Sequence, residues 1–341
     1  MISLKDKKMI GIAVLGAGRI GKIHAANVAA NPLAQLIAVA DPFAEGCEPL
    51  ALQYGAEAMT DPMVAITRDD VQAVVIGTPT DTHIGLLTRA VELGKAVLCE
   101  KPIDLDLGKS TEAAAQIERL NGQVMLAFNR RFDPTFAEVR RAIDAGKIGA
   151  VRQVVISSRD PGMPPEGYVK SSGGLFRDMT IHDLDMARWL LGEEPVSVTA
   201  MASRVVDPQL VEKYGDYDTA MVILQTASGK QAHINNCREA VYGYDQRIEV
   251  LGETGLLTHD NLRPTTMRLT TAEMTDAQQP LLNFFLERYT AAYRAEMDAF
   301  VTALASGTPL PTTANDGVQA LRLAEAALQS VQTGQTISLT S

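Results

Sequence analysis

The chain has 341 residues, 46% hydrophobic and 21% charged, with 31 Lys and Arg against 41 Asp and Glu for a formal net charge of −10. That is enough chain for two ordinary soluble domains with sizeable cores, and the acidic balance removes the basic footprint that nucleic acid or anionic lipid demands. Cys47, Cys99 and Cys237 are too few and too dispersed for a disulfide framework, so they read as packing residues of a protein kept in a reducing compartment, the cytoplasm.

At the N-terminus MISLKDKKMI has lysines with no apolar run behind them, and the stretch from Ile10 to Ala40 is broken by Arg19, Lys22, His24, Asn27 and Asn31. Neither a signal peptide nor a membrane span is expected. The runs MIGIAVLG, QLIAVAD, QAVVIGT, KAVLCE and QVMLAF alternate with helical patterns such as KIHAANVAAN and HIGLLTRAVELG. This is the texture of βαβ units on a buried parallel sheet, a doubly wound α/β domain.

The turn Gly16-Ala17-Gly18-Arg19-Ile20-Gly21 follows the first strand and opens the first helix, and Asp41 ends the second strand. Glycines there allow a tight turn and bring a pyrophosphate onto the helix N-terminus, where N–H groups and the dipole favour negative charge. A carboxylate at the second strand end accepts from both ribose hydroxyls and repels a 2′-phosphate, which favours NAD over NADP. The alternative for Asp41 is a turn cap beside Pro42. Ligands of such sheets bind at the carboxyl ends of the strands, which here read Gly77-Thr78-Pro79-Thr80, Glu100-Lys101-Pro102 and Phe128-Asn129-Arg130-Arg131. Lys101 is placed to meet a substrate, against the default of a solvated surface lysine.

After Arg131 the strand-like runs lengthen and crowd together: VRQVVISS, VSVTAMAS, TAMVILQTASG, KQAHINNC and QRIEVLGETG, with turns at Ser228-Gly229 and Glu253-Thr254-Gly255. An antiparallel or mixed sheet is expected, covered by a helix from Leu175 to Leu191. Helical patterns near Phe284 to Ala305 and Asp316 to Gln332 follow. On the Leu175 to Leu191 helix, Asp178, His182 and Asp185 fall within about 60° of one another at 100° per residue, with Trp189 on the same side. Such a stripe is a solvated face, a satisfied buried histidine with its neighbours, a metal site, or an acid/base site. Histidine suits the last, since its ordinary pKa near 6.5 lets it accept a proton at neutral pH. A metal is disfavoured, because no cysteine or second histidine lies near in sequence.

GAGRIG, Glu100-Lys101-Pro102, FNRRFDP (Phe128 to Pro134), SRDP (Ser158 to Pro161), GGLFRDMTIHDLDMARWLLG and YGYDQRIEVLG (Tyr242 to Gly252) stand in this order along the chain. Together they resemble the glucose-fructose oxidoreductase/inositol dehydrogenase/MocA family over nearly the full length. The resemblance implies a Rossmann NAD-binding domain over residues 1–128. It also implies a substrate-binding and oligomerisation domain over 129–341, α+β with a large open, mainly antiparallel sheet, and a homotetramer assembled through those sheets. It further implies that Lys101, Asp178 and His182 are catalytic: Lys101 holds the reacting hydroxyl, His182 is acid/base, and Asp178 supports it or binds a neighbouring hydroxyl. Asn129, Asp160, Asp185 and Tyr244 would contact the substrate, and Lys101-Pro102 would be cis. Gly16, Gly18, Arg19, Ile20, Gly21, Asp41, Thr78, Pro79, His83, Glu100 and Lys101 would meet NAD.

The implied activity is NAD-dependent oxidation of a cyclic polyol in inositol catabolism, myo-inositol to its 2-keto form first of all. Other inositol isomers or aldoses are the alternatives within the family. A non-catalytic NAD-binding regulator is the alternative outside it, disfavoured by the intact Lys101, Asp178 and His182.

Overall fold

The computed structural model describes residues 9–339, and the chain forms two compact units. Among the described residues, the first comprises 9–132 and 292–319. Its sheet contains β1 (Ile10–Leu15), β2 (Ala34–Ala40), β3 (Glu57–Met59), β4 (Ala73–Ile76), β5 (Ala96–Glu100) and β6 (Val124–Ala127) in the order β3-β2-β1-β4-β5-β6. Every pairing is parallel. Helices on both faces explain why the strands read as continuous apolar runs: Ile12, Val14, Val39, Val75, Leu98 and Met125 are all fully buried. Burying each such side chain is worth about 1.5–3 kcal/mol. The strand order reverses between β1 and β4, the place in such sheets where ligands bind outside the strand ends.

The helix Thr290–Ser306 completes this core through Met297, Phe300 and Val301. A boundary at residue 128 places that helix with the C-terminal part of the chain. The contact pattern instead groups residues 292–319 with the first unit, because the helix's apolar stripe packs on the first sheet's helices and strands.

Among the described residues, the second unit comprises 133–291 and 320–339. Its strands are β7 (Val151–Arg159), β8 (Pro195–Ser203), β9 (Thr219–Thr226), β10 (Gln231–Cys237), β11 (Asp245–Gly252) and β12 (Leu256–His259); a short hairpin, β13 (Arg268–Leu269) and β14 (Ala277–Gln278), stands apart from them. With β15 (Ile337–Ser338) the sheet runs β12-β11-β7-β10-β9-β8-β15. Only β7 and β10 pair in parallel; the rest are antiparallel. The helix Ile181–Leu191 covers one face of β7 and β10. Strand β9 shows what happens on the other face. Ala220, Val222 and Leu224 are buried toward the helix, whereas Met221 and Ile223 alternate outward at 57% and 52% exposure, beside Met201 of β8 at 77%. Among the described residues no helix is long and apolar enough to cross a membrane.

Candidate active site

In the first unit the glycine turn is built for an anion. Gly16 has φ +98°, and a Cβ there would come within 2.6 Å of the Gly77 carbonyl oxygen. A Cβ on Gly21 would lie 1.9 Å from the Gly16 carbonyl oxygen, so the helix can approach β1 this closely only with glycine. Gly18, by contrast, faces open space: nothing lies within 4 Å of where its Cβ would be. It is the N-cap of the helix Arg19–Ala30 and supplies no side-chain cap. A helix N-terminus without a side-chain cap suits an anion, and a pyrophosphate matches it.

Asp41 stands one residue beyond β2. Its Oδ2 accepts from the Ala17 amide at 2.7 Å and its Oδ1 from the Phe43 amide at 2.9 Å. The carboxylate thus caps its own turn and braces the glycine loop at once, and it keeps lone pairs for ribose hydroxyls. The turn-cap reading of Asp41 is realised, and the same geometry is compatible with the ribose reading.

The ends of β4 and β5 are tied together by His83, which is 1% exposed. Its Nδ1 lies 2.8 Å from the Pro102 carbonyl and its Nε2 2.9 Å from the Thr78 carbonyl. Proposed from sequence as a cofactor contact, His83 here engages both ring nitrogens with backbone. It holds the Thr78-Pro79 loop against the Glu100-Lys101-Pro102 loop. The Lys101-Pro102 bond is cis. Lys101 itself is half-buried, and Asn129, 3% exposed, opens the short turn after β6.

Below Glu100 lies a cluster that sequence reasoning missed. Buried His24 meets Glu100 Oε1 through Nε2 at 2.8 Å, and the ring edge of Tyr293 packs on His24 at 5.9 Å. Glu296 is completely buried nearby. Burial, and then the charge of Glu100, push its carboxyl well above the usual carboxylate range.

In the second unit, Gly173 and Gly174 lead into the helical segment with positive φ, and Asp216 Oδ1 accepts the Leu175 amide at 2.8 Å. The segment is not one regular helix. Phe176–Thr180 is a π turn, and the α-helix begins at Ile181. Asp178 sits inside the π turn, so the uniform 100° rotation that aligned it with His182 and Asp185 does not run through it. The wider i→i+5 turn inserts backbone and re-aims the residue, as such turns do at functional sites.

Asp178 is held from two sides. Tyr168 donates its hydroxyl to Oδ1 at 2.7 Å, and Arg238 donates Nη2–H to Oδ2 at 2.9 Å. Arg238, 5% exposed, also donates Nη1–H to Asp160 Oδ2 at 3.1 Å. Burial opposes the charge on Arg238, but Asp178 and then Asp160 outweigh it and raise its pKa. Desolvation of the Tyr168 hydroxyl and the Asp178 carboxylate raise that phenol's pKa.

The structure therefore brings Asp160 and Asp178 together through Arg238, a residue sequence reasoning did not single out. Its one signal was a charge directly after an alternating strand. Asp183 was missed too. It is fully buried, accepts from Ser158 Oγ at 2.6 Å and Asn236 Nδ2 at 2.8 Å, and pins the helix to β7 and β10. His182 is half-buried and is the second residue of the α-helix. Asp185 is 1% exposed, with Arg188 Nη1 3.6 Å away. Tyr244 is 6% exposed, its ring edge-to-face with Phe284 at 6.1 Å and Tyr289 at 5.9 Å. No group of three His, Cys, Asp or Glu side chains among the described residues is arranged to hold a metal.

Residues 10–128 match the NAD-binding Rossmann fold of an oxidoreductase family and residues 140–339 match that family's C-terminal alpha/beta domain. The chain is 50% identical over 330 residues to an inositol 2-dehydrogenase of Rhizobium meliloti (strain 1021), covering 97% of this chain and 99% of that one. A crystal structure of a myo-inositol dehydrogenase from Corynebacterium glutamicum superposes with a TM-score of 0.94 at 48% identity, over 98% of this chain and 99% of that one. A scyllo-inositol dehydrogenase from Lactobacillus casei, solved with bound NAD(H) and scyllo-inositol, superposes with a TM-score of 0.90 at 30% identity over 98% of this chain and all of that one. With the glycine turn, the Asp41 carboxylate and both domain matches in place, the chain belongs to the glucose-fructose oxidoreductase/inositol dehydrogenase/MocA family of NAD-binding oxidoreductases.

Proposed function

We propose that the protein oxidises a neutral cyclic polyol, myo-inositol first, to the 2-keto-inositol. NAD, when bound, takes the carbinol hydrogen with its electron pair as hydride, and the hydroxyl proton goes to the protein. Lys101 holds the reacting hydroxyl and lowers its pKa as a positive neighbour. His182 accepts the proton and passes it to solvent. Asp178 and Asp160 accept hydrogen bonds from other hydroxyls, with Asn129, Asp185 and Tyr244 completing the set. Arg19, Ile20, Thr78, Pro79 and Glu100 complete the cofactor contacts begun by the glycine turn and Asp41.

The observation that carries the substrate class is the anchored pair Asp160 and Asp178. Two carboxylates fixed on one guanidinium offer acceptor oxygens to hydroxyl donors and repel an anionic hydroxy acid. Sites built this way discriminate hydroxyl patterns, because a missing partner leaves a buried polar group unpaired. The names and ligands of the three relatives support the same class. Initial rates of NADH formation at 340 nm with myo-, scyllo- and chiro-inositol, glucose and lactate test it. Turnover of an inositol ahead of glucose, with lactate inert, is expected. Preference for lactate, or brisk turnover of glucose with no turnover of any inositol, would refute it.

The outward face of the second sheet, with Met201, Met221 and Ile223 exposed, supports assembly into a homotetramer through that face. Light scattering of the purified protein reads this directly. Three free cysteines support residence in the cytoplasm.

A further inference from the structure

We propose that Arg238 is a positioning and specificity residue, fixing Asp160 and Asp178 as a two-carboxylate clamp that Tyr168 closes from the other side of Asp178. The proposal rests on the reading of Asp160 and Asp178 as polyol contacts.

Each member of the clamp is held by backbone as well as side chain. Arg238 follows β10 and donates its own amide to the Asp218 carbonyl at 2.8 Å, while the Asp160 amide donates to the Cys237 carbonyl at 3.0 Å. The guanidinium and one of its two carboxylates are therefore registered on neighbouring strand ends, β10 and β7, before any side-chain bond is counted. Asp178 comes from the π turn, in backbone that a regular helix would have aimed elsewhere.

The chemistry of the clamp follows from its stoichiometry. Arginine stays charged in proteins and presents its donors in a rigid fork. Here one arm goes to each carboxylate. Two carboxylates on one guanidinium leave a net charge of −1 and use one N–H of each contacting arm, so acceptor oxygens dominate the clamp. Asp178 accepts from Tyr168 through Oδ1 and from Arg238 through Oδ2, so both of its oxygens are held in place. That suits hydroxyl donors on a ring, held in one orientation. Without Arg238 the two carboxylates would lose the cation that joins them, and like charges at short range favour protonating one of them or swinging it away. The clamp would then lose an acceptor or its geometry.

The test uses the full-length enzyme with NAD and myo-inositol. In Arg238→Gln, KM for myo-inositol should rise by about tenfold or more while the dissociation constant for NAD stays within about twofold, and Arg238→Lys should fall between it and the parent. Adding Asp160→Asn to Arg238→Gln should recover a large part of the KM, because the repulsion has gone; a merely structural arginine would show no such rescue. Tyr168→Phe should raise KM by a smaller factor. An unchanged KM in folded Arg238→Gln, or a double variant worse than the single one, would overturn the proposal. If Arg238→Gln does not fold, Arg238→Lys and Tyr168→Phe decide the matter, and parental KM in both would overturn it. Asp178→Asn separates the two levels. If it turns over myo-inositol like the parent, the reading of Asp178 as a substrate contact fails; if it is impaired while the Arg238 and Tyr168 variants are not, only the clamp fails.

Discussion

On the proposed reading the two units would recognise their ligands by different means. The first unit would meet NAD largely with backbone: a helix N-terminus that Gly18 gives no side-chain cap, a turn that only Gly16 and Gly21 permit, and one carboxylate, Asp41, braced by two amides. The second unit presents side chains assembled across long sequence separations, such as Arg238 with Asp160 and Asp178, and Asp183 with Ser158 and Asn236. Backbone recognition is local in sequence and tolerates change outside its glycines. Side-chain recognition needs several distant residues at once, so it carries the finer discrimination and is the easier to spoil.

The largest effects should come from the proton-handling groups. Lys101→Ala and His182→Ala should each lower kcat by about 10²-fold or more, the usual worth of a positioned acid/base group, with NAD affinity nearly unchanged. Steady-state kinetics with NAD titrations check both. Parental kcat in the His182 variant would remove histidine from the reaction. In the parent, activity should rise toward alkaline pH, since the oxidation releases a proton.

A smaller effect sharpens the contrast on the cofactor side. Asp41→Ser removes one charge and the repulsion of a 2′-phosphate, so the preference of kcat/KM for NAD over NADP should narrow by roughly tenfold, a change of about 1.4 kcal/mol. Equal use of NAD and NADP by the parent would contradict the role of Asp41. The KM for myo-inositol should stay near its parental value, because the change lies in the cofactor half.

The smallest effect concerns stability. The carboxyl of Glu296 titrates above its ordinary value of about 4.5 in the fold, so between those two values the folded chain binds a proton that the unfolded chain has lost. Stability from this group is therefore full below about pH 4.5 and declines as pH rises through the folded pKa. Glu296→Gln cannot titrate. Its Tm should fall less steeply than that of the parent from pH 5 to 9, as thermal denaturation at several pH values would show. Parallel curves would mean that Glu296 does not bury a proton.

How much of this was legible follows the same division. The glycine turn, the Asp41 strand end and the apolar runs of β1, β2, β4, β5 and β6 are contiguous signals, and the sequence places them correctly. β3 and β12 escaped because three- and four-residue edge strands carry too little alternation to stand out. The helix Thr290–Ser306 was legible as a helix, but nothing in Met297, Phe300 and Val301 says which core they fill. Of the candidate site, helical spacing singled out Asp178 and His182, although the π turn breaks the regular spacing at Asp178. Arg238 and Tyr168 were not found. Their meaning lies in partners 60 and 10 residues from them, and only the fold supplies the register.

The most direct measurement follows the hydrogen itself. Myo-inositol carrying deuterium on C2, incubated with the enzyme and NAD, should yield nicotinamide cofactor with deuterium at C4 and a 2-keto-inositol that has lost the label, with a slowed rate if hydride transfer limits turnover. Reduced cofactor free of deuterium, or no reduced cofactor at all, would contradict the assignment of polyol oxidation to this protein.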